Sequence, residues 1–222
     1  TCGGGAAHHP HRCAIFSLFL VFLHHLISER ETPMLDFIAL RQKRITFEAL
    51  CAGLTIADLH RLTDEMIDTQ LNLVRDARDT DLLFLPSDPA AADAYAADTS
   101  EANQPWTLGH VIVHATASSE ECAAHSSSLA RGVPTAGRSR WEVPWQSITT
   151  IAELRQRLEE SRRMRHAFLD TWPNQPDLAN TYLAEHPGAK PRNAIQRFVA
   201  GLAHDDDHLA QIAEILRQSH AS

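Results

Sequence analysis

The sequence predicts an all-α protein, a four-helix bundle with long loops after the first, second and third helices. Three observations lead to this fold class. No segment sustains the apolar–polar alternation of a strand, and no Asn-Gly or Asp-Gly pair marks a hairpin turn. Apolar residues recur at helical spacing in four segments. Stretches rich in proline, glycine and small polar residues separate those segments.

The first two helices are predicted over residues 56–77 and from about residue 107 to residue 130. The stripe that defines the first helix consists of Ile56, Leu59, Met66, Leu73 and Ala77. A polar loop, residues 87–105, follows it and is rich in Ala, Asp and Pro. The second helix begins at Trp106 or Thr107, directly after a proline, and ends before the loop at residues 131–147.

The last two helices have clearer start signals. Thr150, with Glu153 three residues later, forms a capping box that opens the third helix. Trp172 and Pro173 end it. Pro191 is predicted to open the fourth helix, which has apolar residues at three-four spacing. The stripe of the fourth helix consists of Ile195, Phe198, Leu202, Leu209, Ile212 and Leu216, with Asp205 as its polar member.

Composition and charge narrow the function classes. The chain has 222 residues and a formal net charge of −8, so no basic surplus exists to neutralise a nucleic-acid backbone. Four cysteines are widely scattered, without a CxxC pair, which indicates a reducing compartment and argues against a thiolate zinc site. We therefore expect a cytoplasmic protein that binds neither nucleic acid nor membrane.

Residues 1–33 differ from the remainder in composition. They hold five of the 14 histidines and an apolar run, residues 14–27, that is shorter than the roughly 20 residues of a membrane-spanning helix. Arg12 before the run is compatible with a secretory signal, but no small-residue cleavage site follows. We interpret residues 1–33 as a leader that is non-native or disordered, and residues 34–222 as a single helical domain.

Two histidine pairs with a spacing of four residues form the candidate site. His204 and His208 flank three aspartates in the fourth helix, and His110 and His114 lie in the second helix. A spacing of four puts both imidazoles of a pair on one helical face. One such pair is more often structural or solvated. Histidines from two helices that face one core indicate a transition-metal site with open positions for water or substrate.

Competing metal motifs do not match. A di-iron carboxylate bundle needs Glu-x-x-His on two helices, and this chain has none. The segment HDDDH is similar to the zincin motif HExxH, but Asp replaces Glu and no suitable third ligand follows.

The stretches WTLGHVIVH (residues 106–114) and HDDDHLAQI (residues 204–212) resemble motifs of the DinB-like superfamily, bacterial metal-binding four-helix bundles. The resemblance covers about residues 56–218. It matches Trp106 and implies that His114, His204 and His208 bind one divalent transition metal, such as Zn, Ni or Fe. His110 is not a position that the family pattern requires.

The resemblance implies a metal-dependent enzyme with a small-molecule substrate, and it is compatible with a homodimer. Some members are similar to transferases that use a low-molecular-weight thiol, and others are similar to hydrolases. The metal can bind a thiolate or activate water as hydroxide. The alternative is a non-catalytic metal-binding module in a stress response.

Further residues are candidates with simpler alternatives. Asp205 is the catalytic candidate, as a base or as an acceptor that orients a ligand histidine, and a solvated turn is its alternative. Arg138 and Arg140 can anchor an anionic substrate or thiol, although a solvated loop explains them as well. The arginines of RLEESRRMR, residues 157–165, are interpreted as surface ion pairs. Cys122 is interpreted as a buried structural thiol.

Overall fold

The structure is a computed structural model, and it describes residues 35–88, 91, 103–137, 143–184 and 188–222. The leader predicted for residues 1–33 lies outside the described residues. Within the described part, the all-α prediction is confirmed: seven helices are present, and β-pairing is confined to one isolated bridge between Tyr182 and Arg192. None of these helices combines the length and the apolar character that crossing a membrane requires.

Four of the described helices are long and three are short. In chain order they are α1 (Phe37–Arg41), α2 (Phe47–Leu50), α3 (Ile56–Leu73), α4 (Asp79–Leu83), α5 (Leu108–Ala130), α6 (Ile151–Asp170) and α7 (Ala194–Ala221). A 3-10 turn, Trp145–Ser147, precedes α6. The long helices α3, α5, α6 and α7 correspond to the four predicted ones. The short helices were not predicted, because five residues or fewer cannot display a helical period.

Local capping explains where the long helices begin. Thr55 with Asp58 opens α3, and the predicted box of Thr150 with Glu153 opens α6. The prediction that Pro191 opens the last helix is wrong. Asn193 forms a capping box with Gln196 instead, because its side-chain oxygen accepts from the backbone N–H of Gln196.

Two further boundaries differ from the prediction. Helix α3 ends at Leu73 rather than residue 77, because the chain turns at Val74, whose side chain is fully buried. Trp172 lies two residues beyond the end of α6, where it packs in the core from the turn rather than from the helix. Apolar residues that continue a stripe past a helix end can therefore belong to the turn that follows.

A polar layer separates two apolar clusters in the core. One cluster contains Leu59, Leu62, Phe198 and Leu202, among others, and the second is formed around Ile112, Leu154 and Ile212. On α5, α6 and α7 the residues between the clusters include buried polar side chains: Thr116, Ser119, Ser161, Arg165 and Asp205. The candidate histidines on α5 and α7 lie at the height of this layer.

Helices α5 and α7 pack more extensively than any other pair of the described helices. They run antiparallel, since His114 faces His204 while His125, further along α5, faces Arg197 at the start of α7. Gly201 makes the close approach possible. A Cβ placed there would lie 3.0 Å from the Cβ of Cys122 and 3.1 Å from the Cα of Ser119. The glycine thus brings the two backbones together one turn before His204.

Candidate metal centre

The structure brings the three predicted ligand histidines together. His114 lies on α5, and His204 and His208 lie one turn apart on α7. One ring nitrogen from each lies within 4.8 Å of the others, and the Nε2 atoms of His114 and His204 are 3.2 Å apart. All three are half-buried. Among the residues that the structure describes, this is the group of three or more His, Cys, Asp or Glu side chains that can hold a metal ion.

The orientation of His208 is fixed by Gln211. The Nδ1–H of His208 donates to the Oε1 of Gln211 at 2.8 Å, so the lone pair of the neutral ring lies on Nε2. Burial lowers the pKa of His208, with a further contribution from His114, while the bond to Gln211 acts in the opposite direction. A histidine held neutral in one tautomer has the form that a metal requires.

Aromatic rings cover one side of the cluster. The ring centroid of Trp106 lies 4.6 Å from that of His114 and 6.0 Å from that of His208. His110 stacks between Trp106 at 4.5 Å and Trp145 at 5.1 Å. His110 is therefore part of an aromatic stack beside the cluster and not a member of the three-histidine group, as its absence from the motif implied.

Asp205 lies beneath the histidines, in the polar layer of the core. It is completely buried, and its Oδ2 accepts from the Nη1 of Arg165 at 2.6 Å. Arg165 is itself 1% exposed and donates through Nε to the Ser161 hydroxyl. Asp205 is thus not in a solvated turn, and its role as a catalytic group stays a prediction. Its neighbours on the outer face, Asp206 and Asp207, both accept from Arg41.

The remaining predicted residues are placed as follows. Arg138 and Arg140 lie outside the described residues. Cys122 is buried with a raised pKa caused by that burial, so its thiol stays protonated at neutral pH. It is eight residues, about 12 Å of helix, from His114. The structure therefore gives the histidine cluster no thiolate from this cysteine.

The interpretation of residues 157–165 as surface pairs is correct only in part. Arg163 pairs with Glu160 on the exposed face, as expected for a spacing of three. Arg165 and Arg157 instead point inward, and Arg157 forms an ion pair with Glu120 that is about one-tenth exposed. The inward arginines were missed because their carboxylate partners lie on other helices. The charged Asp205 on the apolar stripe was a sequence signal for a buried partner such as Arg165, and Arg157 had no such signal.

The donor set fits a divalent transition metal. Three imidazoles, two from one helical turn and one from the facing helix, are nitrogen ligands of the kind that Zn, Ni and Fe accept, and they leave positions for water or substrate.

The fold and the site together define the class of protein: a bundle of long helices with a three-histidine group between two of them. A family model described as the DinB superfamily matches residues 39–212. This chain belongs to the DinB superfamily. No curated protein matched the chain, and no solved structure matched it.

Proposed function

We propose that the protein is a metal-dependent enzyme whose catalytic divalent ion is bound by His114, His204 and His208, and that it transfers a low-molecular-weight thiol to a small organic substrate. Convergence of the three imidazoles within 4.8 Å carries this proposal. A bound metal of this kind supplies Lewis acidity, which lowers the pKa of a thiol or a water molecule. Hydrolysis is the second reaction compatible with that chemistry.

The nucleophile comes from outside the chain in this proposal. Cys51 and Cys122 are buried, and burial raises the pKa of Cys51 to about 12. Neither belongs to the histidine group. Within the part of the chain that the structure describes, no cysteine is placed to attack a substrate at this group, so in the proposal an exogenous thiol or water supplies the attacking atom. This favours transferase or hydrolase chemistry over a protein-bound thiol intermediate.

Protein side chains would position the reacting groups. Gln211 holds His208 in one tautomer, and Trp106 shields the ligand rings from water on one side. Asp205 acts as a positioning residue in this scheme: its bond to Arg165 anchors α7 to α6 directly beside His204. A carboxylate that is fully buried and engaged by an arginine is poorly placed to accept a substrate proton, so we do not assign it the role of base.

The metal test uses untagged full-length protein and compares His114→Ala with His110→Ala. Both changes remove one imidazole from the same helix, but only His114 belongs to the three-histidine group. We expect His114→Ala, His204→Ala and His208→Ala each to lose one equivalent of metal by elemental analysis, and His110→Ala to keep it. Loss in His110→Ala with retention in His114→Ala would contradict the ligand assignment.

The activity test uses the metal-loaded protein with a panel of electrophiles and low-molecular-weight thiols, and in parallel with esters and amides. Thiol conjugation that disappears in His208→Ala and persists in His110→Ala supports the transferase. Hydrolysis with the same pattern identifies the second reaction. One bound metal with neither activity would reject the enzyme and support the non-catalytic metal-binding module.

A further inference from the structure

A second histidine cluster lies across the contact between α3 and α6. Polar side chains repeat at a spacing of four on both helices: His60, Asp64 and Asp68 on α3, and Arg162, His166 and Asp170 on α6. The helices are antiparallel here, since His60 meets Asp170 and Asp68 meets Arg162. We call these six residues the α3–α6 seam.

The two histidines of the seam face each other edge to edge. Their Nδ1 atoms are 2.5 Å apart, their ring centroids are 4.8 Å apart, and their planes are inclined by only 9°. The centroid separation exceeds the nitrogen separation by twice the radius of a five-membered ring. Both nitrogens therefore lie on the line between the centroids, and the rings are nearly coplanar. Each Nδ1 points directly at the other at hydrogen-bond distance, so a cation can lie between them only after the two rings move apart.

Carboxylates hold the opposite edge of each ring. The Nε2 of His166 lies 2.9 Å from the Oδ1 of Asp64, and the Nε2 of His60 lies 3.4 Å from the Oδ1 of Asp170. Arg162 also donates to Asp64 at 2.9 Å and so fixes that carboxylate. Histidines that bind metals commonly donate their second N–H to a carboxylate, which sets the tautomer and makes the ligand nitrogen more basic. His166 has this arrangement with Asp64, and Asp170 lies within ion-pair distance of His60.

We propose that His60 and His166 form a second divalent transition-metal site, with Zn²⁺ bound by both Nδ1 atoms and water in the remaining positions. Bonds of about 2.0–2.1 Å at a tetrahedral angle require nitrogens about 3.3 Å apart, so the Nδ1 atoms must separate by less than about 1 Å. The rings are 29% and 25% exposed, so solvent reaches them and small side-chain rotations supply that movement.

This site is independent of the three-histidine group, because the two clusters share no residue and no contact among those described here. It has fewer protein ligands, so it fills at higher free zinc than the first site. Occupancy would link α3 to α6 through residues 106 positions apart in the chain. The second site would therefore add a metal-dependent brace to a helix pair that also contributes to both apolar clusters of the core.

The test measures zinc bound per chain, by competition with a chromophoric chelator, in full-length wild type and in His166→Gln. We expect His166→Gln and His60→Gln each to lose one weaker equivalent while the tighter one is unchanged. Arg163→Gln is the matched control, since Arg163 lies on α6 but pairs only with Glu160 in the described structure. The five histidines of residues 1–33 are present in every variant, so their contribution cancels in the comparison.

A second measurement keeps the result decisive if a variant folds poorly. In side-chain ¹H–¹⁵N spectra of the wild type, the Nδ1 resonances of His60 and His166 should shift together as the weaker equivalent fills. Asp170→Asn should weaken that equivalent about 10-fold by releasing the outer edge of His60. Equal zinc binding by wild type and His166→Gln, or Nδ1 resonances that do not respond to zinc, would overturn the proposal. A wild type that binds only one equivalent, lost in His166→Gln, would reject only the three-histidine site.

Discussion

The polar layer of the core and the α3–α6 seam use the same residue types in opposite surroundings. In the polar layer, Arg165 and Asp205 are 1% and 0% exposed and meet in a single ion pair. In the seam, Arg162 contacts Asp64, Asp68 and Glu159, whose side chains are 48%, 62% and 54% exposed. The number of ion pairs is therefore a poor guide to how much they contribute to the free energy of unfolding. Burial decides how much stability is lost when one partner is removed.

The largest expected effect comes from Asp205→Ala. The change leaves the Arg165 guanidinium buried without its carboxylate, so we expect the free energy of unfolding to fall by about 3–5 kcal/mol. Asp68→Ala is the matched control, since it removes an exposed partner of Arg162 and should cost less than about 1 kcal/mol. Urea denaturation measures both. Equal losses in the two variants would mean that the two environments do not differ as described.

The double variant Arg165→Met, Asp205→Leu sharpens the same comparison. It removes both charges together and replaces them with apolar side chains of similar length. We expect it to recover most of the stability lost in Asp205→Ala, because the penalty arises from the unpaired charge rather than from the missing contact. A double variant as unstable as Asp205→Ala would indicate that packing around the pair, not its charge, dominates.

An intermediate effect, on the pH dependence of the free energy of unfolding, is expected from His125. Unlike the seam histidines, which face carboxylates, His125 is buried against the cation of Arg197. The Nη2 of Arg197 lies 3.1 Å from its Nδ1, so that nitrogen accepts and must be unprotonated. Burial, assisted by Arg197, lowers the pKa of His125 to about 4. The unfolded chain, with a pKa near 6.5, takes up the proton first as the pH falls. The stabilisation is therefore complete above pH 6.5 and is lost as the pH falls toward 4.

We expect this one histidine to lower the free energy of unfolding by at most about 3 kcal/mol over that pH window. His125→Gln keeps an acceptor for Arg197 but cannot titrate. Its stability should fall less steeply between pH 6.5 and pH 4 than that of the wild type, by the amount that His125 contributes. Chemical denaturation at several pH values measures the difference. Identical pH slopes would show that His125 is not held neutral by its surroundings.

The smallest expected effect is that of Gly201→Ala at the close approach of α5 and α7. Overpacking against Cys122 and Ser119 costs about 1–3 kcal/mol, and the gain in helix propensity returns about 1 kcal/mol. We expect a net loss of about 1 kcal/mol and weaker metal binding, because the added Cβ moves His204 and His208 away from His114. Ala213→Gly, exposed on the same helix, measures the propensity contribution alone. A stabilised Gly201→Ala variant would show that the helices are not in tight contact.

The fold was largely predictable because its signals are local. The capping box of Thr150 and Glu153, a signal only four residues long, marks the start of α6, and apolar spacing marks every long helix. Errors arose where two local signals competed: Pro191 resembled a helix start, but Asn193 offers the capping oxygen. Ala77 continued the apolar stripe of the first predicted helix, but the backbone leaves the helix after Leu73.

The candidate site was predictable only in part, because its contacts depend on how helices are aligned. Two histidines one turn apart on α7 must share a face, so their meeting follows from the sequence. The partner of Asp205 is 40 residues away, and His60 and His166 are 106 residues apart. No local pattern sets the relative heights of α3, α6 and α7, so these pairs became visible only in the structure. Metal binding by His114, His204 and His208 stays a prediction.

The placement of two candidate ligands on the last helix has a consequence for biosynthesis. Translation proceeds from the N-terminus, so a growing chain that has been extended through α6 contains His114 but neither His204 nor His208. The three-histidine group cannot assemble until α7 has been synthesised and has docked against α5 past Gly201. Any metal held there would be acquired after the other long helices exist, as a late event in maturation, and its uptake would report that the last helix is in place.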